Sequence, residues 1–215
     1  MTSNVTSPMI RELRIHHAAR LGNLFSPGQW RLPPGTYALD NGRFKGEEWT
    51  EAAFLKHCDR VAIHPTPPRW LAVPDVFGDP DGTLREWDKW AGRLRDTYGW
   101  KLALVWQDGI TPETVKAHTD AEVQFIGGKK VRAKWLMVKP ALGHFPRVHV
   151  GKINAVSQAL RLWRWGVESV DGTGWCLTNR QRAGLKRVLE CMARGDRWNG
   201  QPELVEEGGQ YETNG

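Results

Sequence analysis

The segment LREWDKWAGRLRDTYGWKLALVWQDG, residues 84–109, decides the fold. Its first part, Leu84–Tyr98, has the pattern of an amphipathic helix carrying Trp87 and Trp90. Its second part, Lys101–Trp106, is a short apolar run that ends in the polar Gln107-Asp108-Gly109. A helix leading into a strand that is apolar on both faces is a unit of a parallel sheet.

The same unit recurs outward in both directions. Further strands are predicted over Tyr37–Asp40, Trp70–Val76, Glu122–Ile126, Val148–Gly151 and Glu168–Val170, with weaker ones at Leu24–Phe25 and Val61–Ile63. Helices are predicted over Glu47–His57, Pro112–His118, Ala155–Trp165 and Asn179–Ala193. Pro112 sits at a first-turn position behind Thr111, a capable N-cap, and Asn179 is the expected cap of the last helix. Alternating strands and helices joined by crossovers give an α/β fold, a (β/α) barrel. Such barrels usually need about 250 residues. With 215 residues, this chain predicts a compact or trimmed one. Residues 1–200 are expected to form one domain, followed by an acidic, Gly-rich, disordered tail over 201–215.

Composition narrows the functional classes. The chain is 40% hydrophobic and 25% charged, which is globular. No apolar run reaches the roughly 20 residues of a membrane span, and the first residues lack a secretory layout, so a cytoplasmic protein is expected. Cys58, Cys176 and Cys191 stand apart and read as ordinary thiols, not as a metal knuckle. No metal or organic cofactor is expected. The net charge of +6, with Lys and Arg gathered between Lys129 and Arg197, favours a polyanionic partner. Twelve Trp residues serve a core or offer stacking surfaces for unpaired bases.

The strand ends carry the functional signal, because the carboxyl ends of the strands form the active face of such a barrel. They read Asp40-Asn41-Gly42, Asp75, Gln107-Asp108-Gly109, Gly127-Gly128, Gly151-Lys152 and Asp171-Gly172-Thr173. Carboxylates can accept the N1–H and exocyclic amino protons of a guanine-like base. Gln107 or a backbone N–H at Gly127-Gly128 can donate to its O6, and glycine lets a flat ring approach the backbone. A second carboxylate near C1′ could displace the base while a third group moves protons.

These motifs, LDNGRF (39–44), VPDVFGD (73–79), LVWQDG (104–109), FIGGKK (125–130), VHVGKIN (148–154) and GVESVDGT (166–173), run in one order over roughly residues 37 to 175. In that order the chain resembles the tRNA-guanine transglycosylases. It is more similar to the transglycosylases of phages and bacteria that place 7-deazaguanines in DNA. The resemblance implies that Asp171 is the nucleophile on C1′, forming a covalent sugar–enzyme intermediate. It implies that Asp40 protonates the leaving guanine and deprotonates the incoming base. Asp75, Gln107, Gly127 and Gly128 would hold the heterocycle. Lys152, Lys129, Lys130 and Arg132 are candidates for phosphate contacts.

The bacterial tRNA enzymes carry a Cys/Cys/Cys/His zinc site after the nucleophile, and the archaeal ones add RNA-binding domains. This sequence has too few residues after Asp171 for either, which favours DNA over tRNA as acceptor. The expected partners are DNA, single-stranded or with a flipped nucleotide, and a free 7-deazaguanine such as 7-cyano-7-deazaguanine. The protein is expected to act as a monomer or homodimer. Exchange on tRNA and a non-catalytic nucleic-acid-binding barrel are the rival readings. Some of these residues also have structural readings. His149, between two valines, reads as a satisfied core histidine. One of Asp75 and Asp79 reads as a loop cap, and the run from Lys129 reads equally as a solvated face.

Overall fold

The computed structural model describes residues 8–29, 35–128 and 131–195. In chain order the elements are α1 (Pro8–His16), β1 (Asn23–Phe25), β2 (Tyr37–Leu39), α2 (Glu51–Ala62), β3 (Leu71–Ala72), α3 (Pro80–Tyr98) and β4 (Leu102–Trp106). They continue with α4 (Pro112–His118), β5 (Val123–Ile126), α5 (Val131–His144), β6 (Val148–Val150), α6 (Val156–Arg164), β7 (Ser169–Val170) and α7 (Asn179–Arg194). All seven strands are parallel and lie in chain order from β1 to β7.

Side-chain contacts show that this sheet is curled. Strands β3 and β6 are three places apart, about 14 Å in a flat sheet. Yet the rings of Trp70, just before β3, and His149 in β6 have centroids 4.9 Å apart, and Phe125 of β5 meets both. These three rings fill the inside of the curl together with Ala38, Ala72, Ala103, Val105 and Val123. The alternate residues, among them Leu39, Leu71, Leu102, Leu104, Trp106 and Val150, face outward into the main core beneath the helices. Trp106 is fully buried there and donates its indole N–H to Gln124 Oε1 at 2.9 Å. Cutting it to alanine would cost about 3–5 kcal/mol. Among the described residues, seven strands thus form a trimmed (β/α) barrel.

The ring is not closed by a ladder: among the described residues, β1 and β7 are not paired with each other. A cavity of about 260 Å³ lies in that gap, with α1 and α7 beside it. Across the floor, Glu168 joins the two sides. It accepts from Arg147 Nε and Nη2 at 2.9 Å each and from Arg69 Nη2 at 2.7 Å. Burial alone would raise the Glu168 carboxyl, but hydrogen bonds and charge from Arg147 and Arg69 outweigh it and hold it below its usual range.

Some expectations need correction. Residues 61–63 are no strand: Val61 and Ala62 are the last residues of α2, and Ile63 is its helical C-cap. Glu47–His57 becomes a 3₁₀ turn over Arg43–Glu48 followed by α2, which Thr50 caps by accepting from Ala53 N at 3.2 Å. Trp70–Val76 pairs only at Leu71–Ala72, because Pro74 has no N–H for a ladder. The cap of α7 is Thr178, not Asn179, in a reciprocal capping box with Gln181. Helix α1 was not expected. Nor was α5, whose consecutive apolar residues Trp135–Val138 and internal Pro140 hide the helical period. Thr111 caps α4 as expected, accepting from Thr114 N at 3.3 Å. Among the described residues, no helix is long and apolar enough to cross a membrane. The tail at 201–215 lies outside the described residues.

Candidate active site

The polar strand ends converge at the carboxyl end of the barrel. Asp75, three residues past β3, is 8% exposed, and both its oxygens accept hydrogen bonds. Asn41 Nδ2 donates to Oδ1 at 2.8 Å, and Gln107 Nε2 donates to Oδ2 at 2.6 Å. Gln107, at the end of β4 and 1% exposed, is fixed in turn: its Oε1 accepts from Gly78 N at 2.9 Å. That orientation turns the Gln107 amide N–H₂ toward Asp75 and spends its oxygen on the β3–α3 loop. Burial pushes the Asp75 carboxyl up to about 6, aided by the nearby Asp40 and opposed by the Asn41 hydrogen bond and Arg43.

Gly127 and Gly128 border the same spot. A Cβ on Gly127 would stand 2.9 Å from Val105 Cγ1 and 3.8 Å from Gln107 Nε2, so a side chain there would press on the site. Gly128 has φ 69°, left-handed backbone that favours glycine. Asp79 does not join this group. It is the N-cap of α3, accepting from Gly82 N at 2.9 Å, while Asp75 stays in the site.

Asp40 follows β2 directly, its N–H donating to Phe25 O at 2.9 Å and its Oδ2 accepting from Ser26 Oγ at 2.9 Å. Its carboxyl is raised, first by burial and further by the charge of Asp171, against hydrogen bonds from Ser26 and the Gly42 backbone. Asp171 follows β7. Its backbone is tied to β6 on both sides, its N–H to Val150 O at 3.2 Å and its carbonyl to Ile153 N–H at 2.6 Å. Its Oδ1 lies 3.1 Å from His149 Nε2, and it lines the cavity in the gap between β1 and β7. That cavity reaches Asp171 and His149 but not Asp75 or Gln107. Asp75 and Gln107 therefore sit past the ends of β3 and β4, outside that cavity.

The proposed phosphate contacts fare unevenly. Lys152, past β6, is the one non-glycine described residue with positive φ, 59°, and its Nζ lies 5.3 Å from the ring of Phe77. Phe77 is 53% exposed on the β3–α3 loop, so the pair lies across the open mouth from the β6 side. Arg132 is exposed in the first turn of α5. Lys129 and Lys130 lie outside the described residues.

Three side chains were not picked out from sequence. Asn41 is buried and joins Asp75 to Val73 O at 2.8 Å; its place beside Asp40 in LDNGRF was the available signal. Lys134 falls in the run from Lys129, which reads equally as a solvated face and as phosphate contacts, yet it is buried on α5. Ser26 carried no signal beyond a polar residue after β1. His149 is, as expected, a buried and hydrogen-bonded core histidine; its bond to Asp171 was not foreseen. Among the described residues, no cluster of His, Cys, Asp and Glu could hold a metal ion.

No family model and no curated protein matches this chain. Among solved structures, it is similar to tryptophan synthase from M. tuberculosis in an open form with BRD0059 bound. The identity is 13% and the TM-score 0.47, over 88% of this chain and 95% of that one. It is also similar to a structure from Aquifex aeolicus VF5, with 11% identity and a TM-score of 0.45, over 90% of this chain and 99% of that one. Neither likeness bears on activity.

Proposed function

We propose that this chain exchanges guanine in DNA for a 7-deazaguanine through a covalent ester between the sugar and Asp171. The supporting observation is the division of labour among three carboxylates at one barrel end. Asp75 is held by two amide donors, Asp40 has a raised carboxyl, and Asp171, hydrogen-bonded to His149, is near enough for its charge to act on Asp40. Each Asp75 oxygen keeps a lone pair for the N1–H and amino protons of a guanine edge. Environments that separate the proton affinities of neighbouring carboxyls assign acid and base roles.

In the first half-reaction, an Asp171 oxygen bonds to C1′ as the C1′–N9 bond breaks. The electron pair leaves on the base, which takes the proton of neutral Asp40. In the second, the incoming base gives its N9 proton to Asp40 and attacks C1′, and the ester bond breaks back to the Asp171 carboxylate. Atoms and charges balance with no further reactant. The target nucleotide must be flipped out or unpaired to reach this mouth.

The test offers labelled guanine and 7-cyano-7-deazaguanine on single-stranded DNA, duplex DNA and bulk tRNA side by side. Label entering DNA with wild type, but not with Asp171→Asn, supports the reading. Label entering tRNA alone changes the acceptor and keeps the chemistry. Nucleic-acid binding with no label and no covalent adduct leaves a non-catalytic binder.

A further inference from the structure

Lys134 on α5 is a charged side chain only 6% exposed. Lysines are almost never fully buried without a partner, because desolvating an ammonium is costly. Its Nζ donates to the carbonyl of Gly151 at 2.6 Å. Gly151 is the residue that leaves β6, and its N–H is fixed to Ile126 O at 3.1 Å. Its Cα is wedged against the nucleophile: a Cβ there would stand 2.7 Å from Phe125 Cε2 and 3.1 Å from Asp171 Oδ1. One hydrogen bond thus connects a buried cation on α5 to the piece of backbone on which the Asp171 carboxylate rests.

We propose that Lys134 is a positioning residue for Asp171, holding the Gly151 backbone against its carboxylate and setting a buried positive charge beside it. This rests on the base-exchange reading and deepens it. Burial lowers the Lys134 ammonium from its usual range, while the charges of Asp171 and Asp108 favour its protonated form and Lys152 opposes it. Asp171 is an anion before attack and again after the ester breaks, and neutral in between. A fixed cation beside it draws the electron pair back to it at the end. The second half-reaction, in which the carboxylate is the leaving group, gains most.

The experiment compares wild type with Lys134→Gln, which keeps a donor within reach of Gly151 but removes the charge, and with Lys134→Arg, which keeps both. His149, Asp40, Asp108 and Lys152, the other titratable and charged groups around this pair, are the same in all three proteins. In Lys134→Gln the denaturant-trapped covalent adduct persists on the order of tenfold longer, because the departing carboxylate has lost its cation. Lys134→Arg keeps the wild-type adduct lifetime. A folded Lys134→Gln with unchanged adduct lifetime overturns the proposal, even if its melting temperature falls, because that is the result of a purely structural anchor. If Lys134→Gln does not fold, a folded Lys134→Arg with a prolonged adduct lifetime overturns it. A wild-type chain that neither exchanges base nor forms an adduct overturns the base-exchange reading, and this proposal with it.

Discussion

His149 Nε2 stands 3.1 Å from Asp171 Oδ1, while the other ring nitrogen, Nδ1, stands 2.8 Å from Ser169 Oγ. A carboxylate oxygen only accepts, so Nε2 is the donor in the contact with Asp171. The ring is wedged between Trp70 and Phe125, at 4.9 and 4.6 Å, and cannot swing away. Asp171 therefore owes its side-chain direction to a histidine that packing holds in place. Replacing His149 with alanine should lower exchange by roughly 10–100-fold by loosening the attack geometry. Single-turnover adduct formation measures this, and a His149→Ala enzyme with wild-type rate refutes it.

The Asp75 carboxyl, raised to about 6, gives the proposed base site a pH dependence. Below that value Asp75 is protonated and one of its oxygens becomes a donor that meets the N–H groups of guanine badly. Above it, both oxygens accept. Affinity for free guanine should therefore rise between pH 5 and pH 7, as calorimetric titration would record. Asp75→Ala should be weak and flat across that range.

His57 sets a stability dependence of opposite origin. It is buried against Phe25, 3.3 Å from the Phe25 carbonyl, and burial lowers its ring to about 4. A base whose folded value is depressed stabilises the fold above its unfolded value of about 6.5 and loses that contribution as pH falls toward 4. The full difference is about 3 kcal/mol. Urea unfolding of wild type and His57→Gln at pH 7 and pH 4 isolates it: the gap in stability between the two pH values should shrink in the variant.

Arg132, exposed on the first turn of α5, tests the phosphate contacts. If it meets one phosphate, Arg132→Gln should weaken single-stranded DNA binding evenly across sequences and reduce the salt slope by about 1. Fluorescence anisotropy at several salt concentrations reads both, and an unchanged slope removes Arg132 from the contact set.

The barrel was legible because β4 and β5 are short, largely apolar runs, and β4 follows a well-patterned helix, α3. The candidate site was legible in its carboxylates, since Asp40 and Asp171 directly follow β2 and β7 and Asp75 lies three residues past β3. Its supports were not. Asn41 looks like turn chemistry beside Gly42, and Lys134 sits in a run of cations, so neither announces burial. Helix α5 stayed hidden because it is apolar on several faces and carries Pro140, which erases the 3.6-residue period. Strand β3 was overestimated because its apolar run continues past the point where Pro74 ends the pairing.

The unpaired rim of β7 has a consequence for motion. Only His149↔Ser169 and Val150↔Val170 register this strand, and its other edge has no neighbouring strand among those described. Central strands of a sheet open only with the whole fold, whereas a two-residue edge can detach on its own at far smaller cost. Amide protons at Ser169–Asp171 should thus exchange with deuterium well before those of Leu102–Trp106. The carboxylate proposed to attack the sugar rides on an edge stave of the barrel.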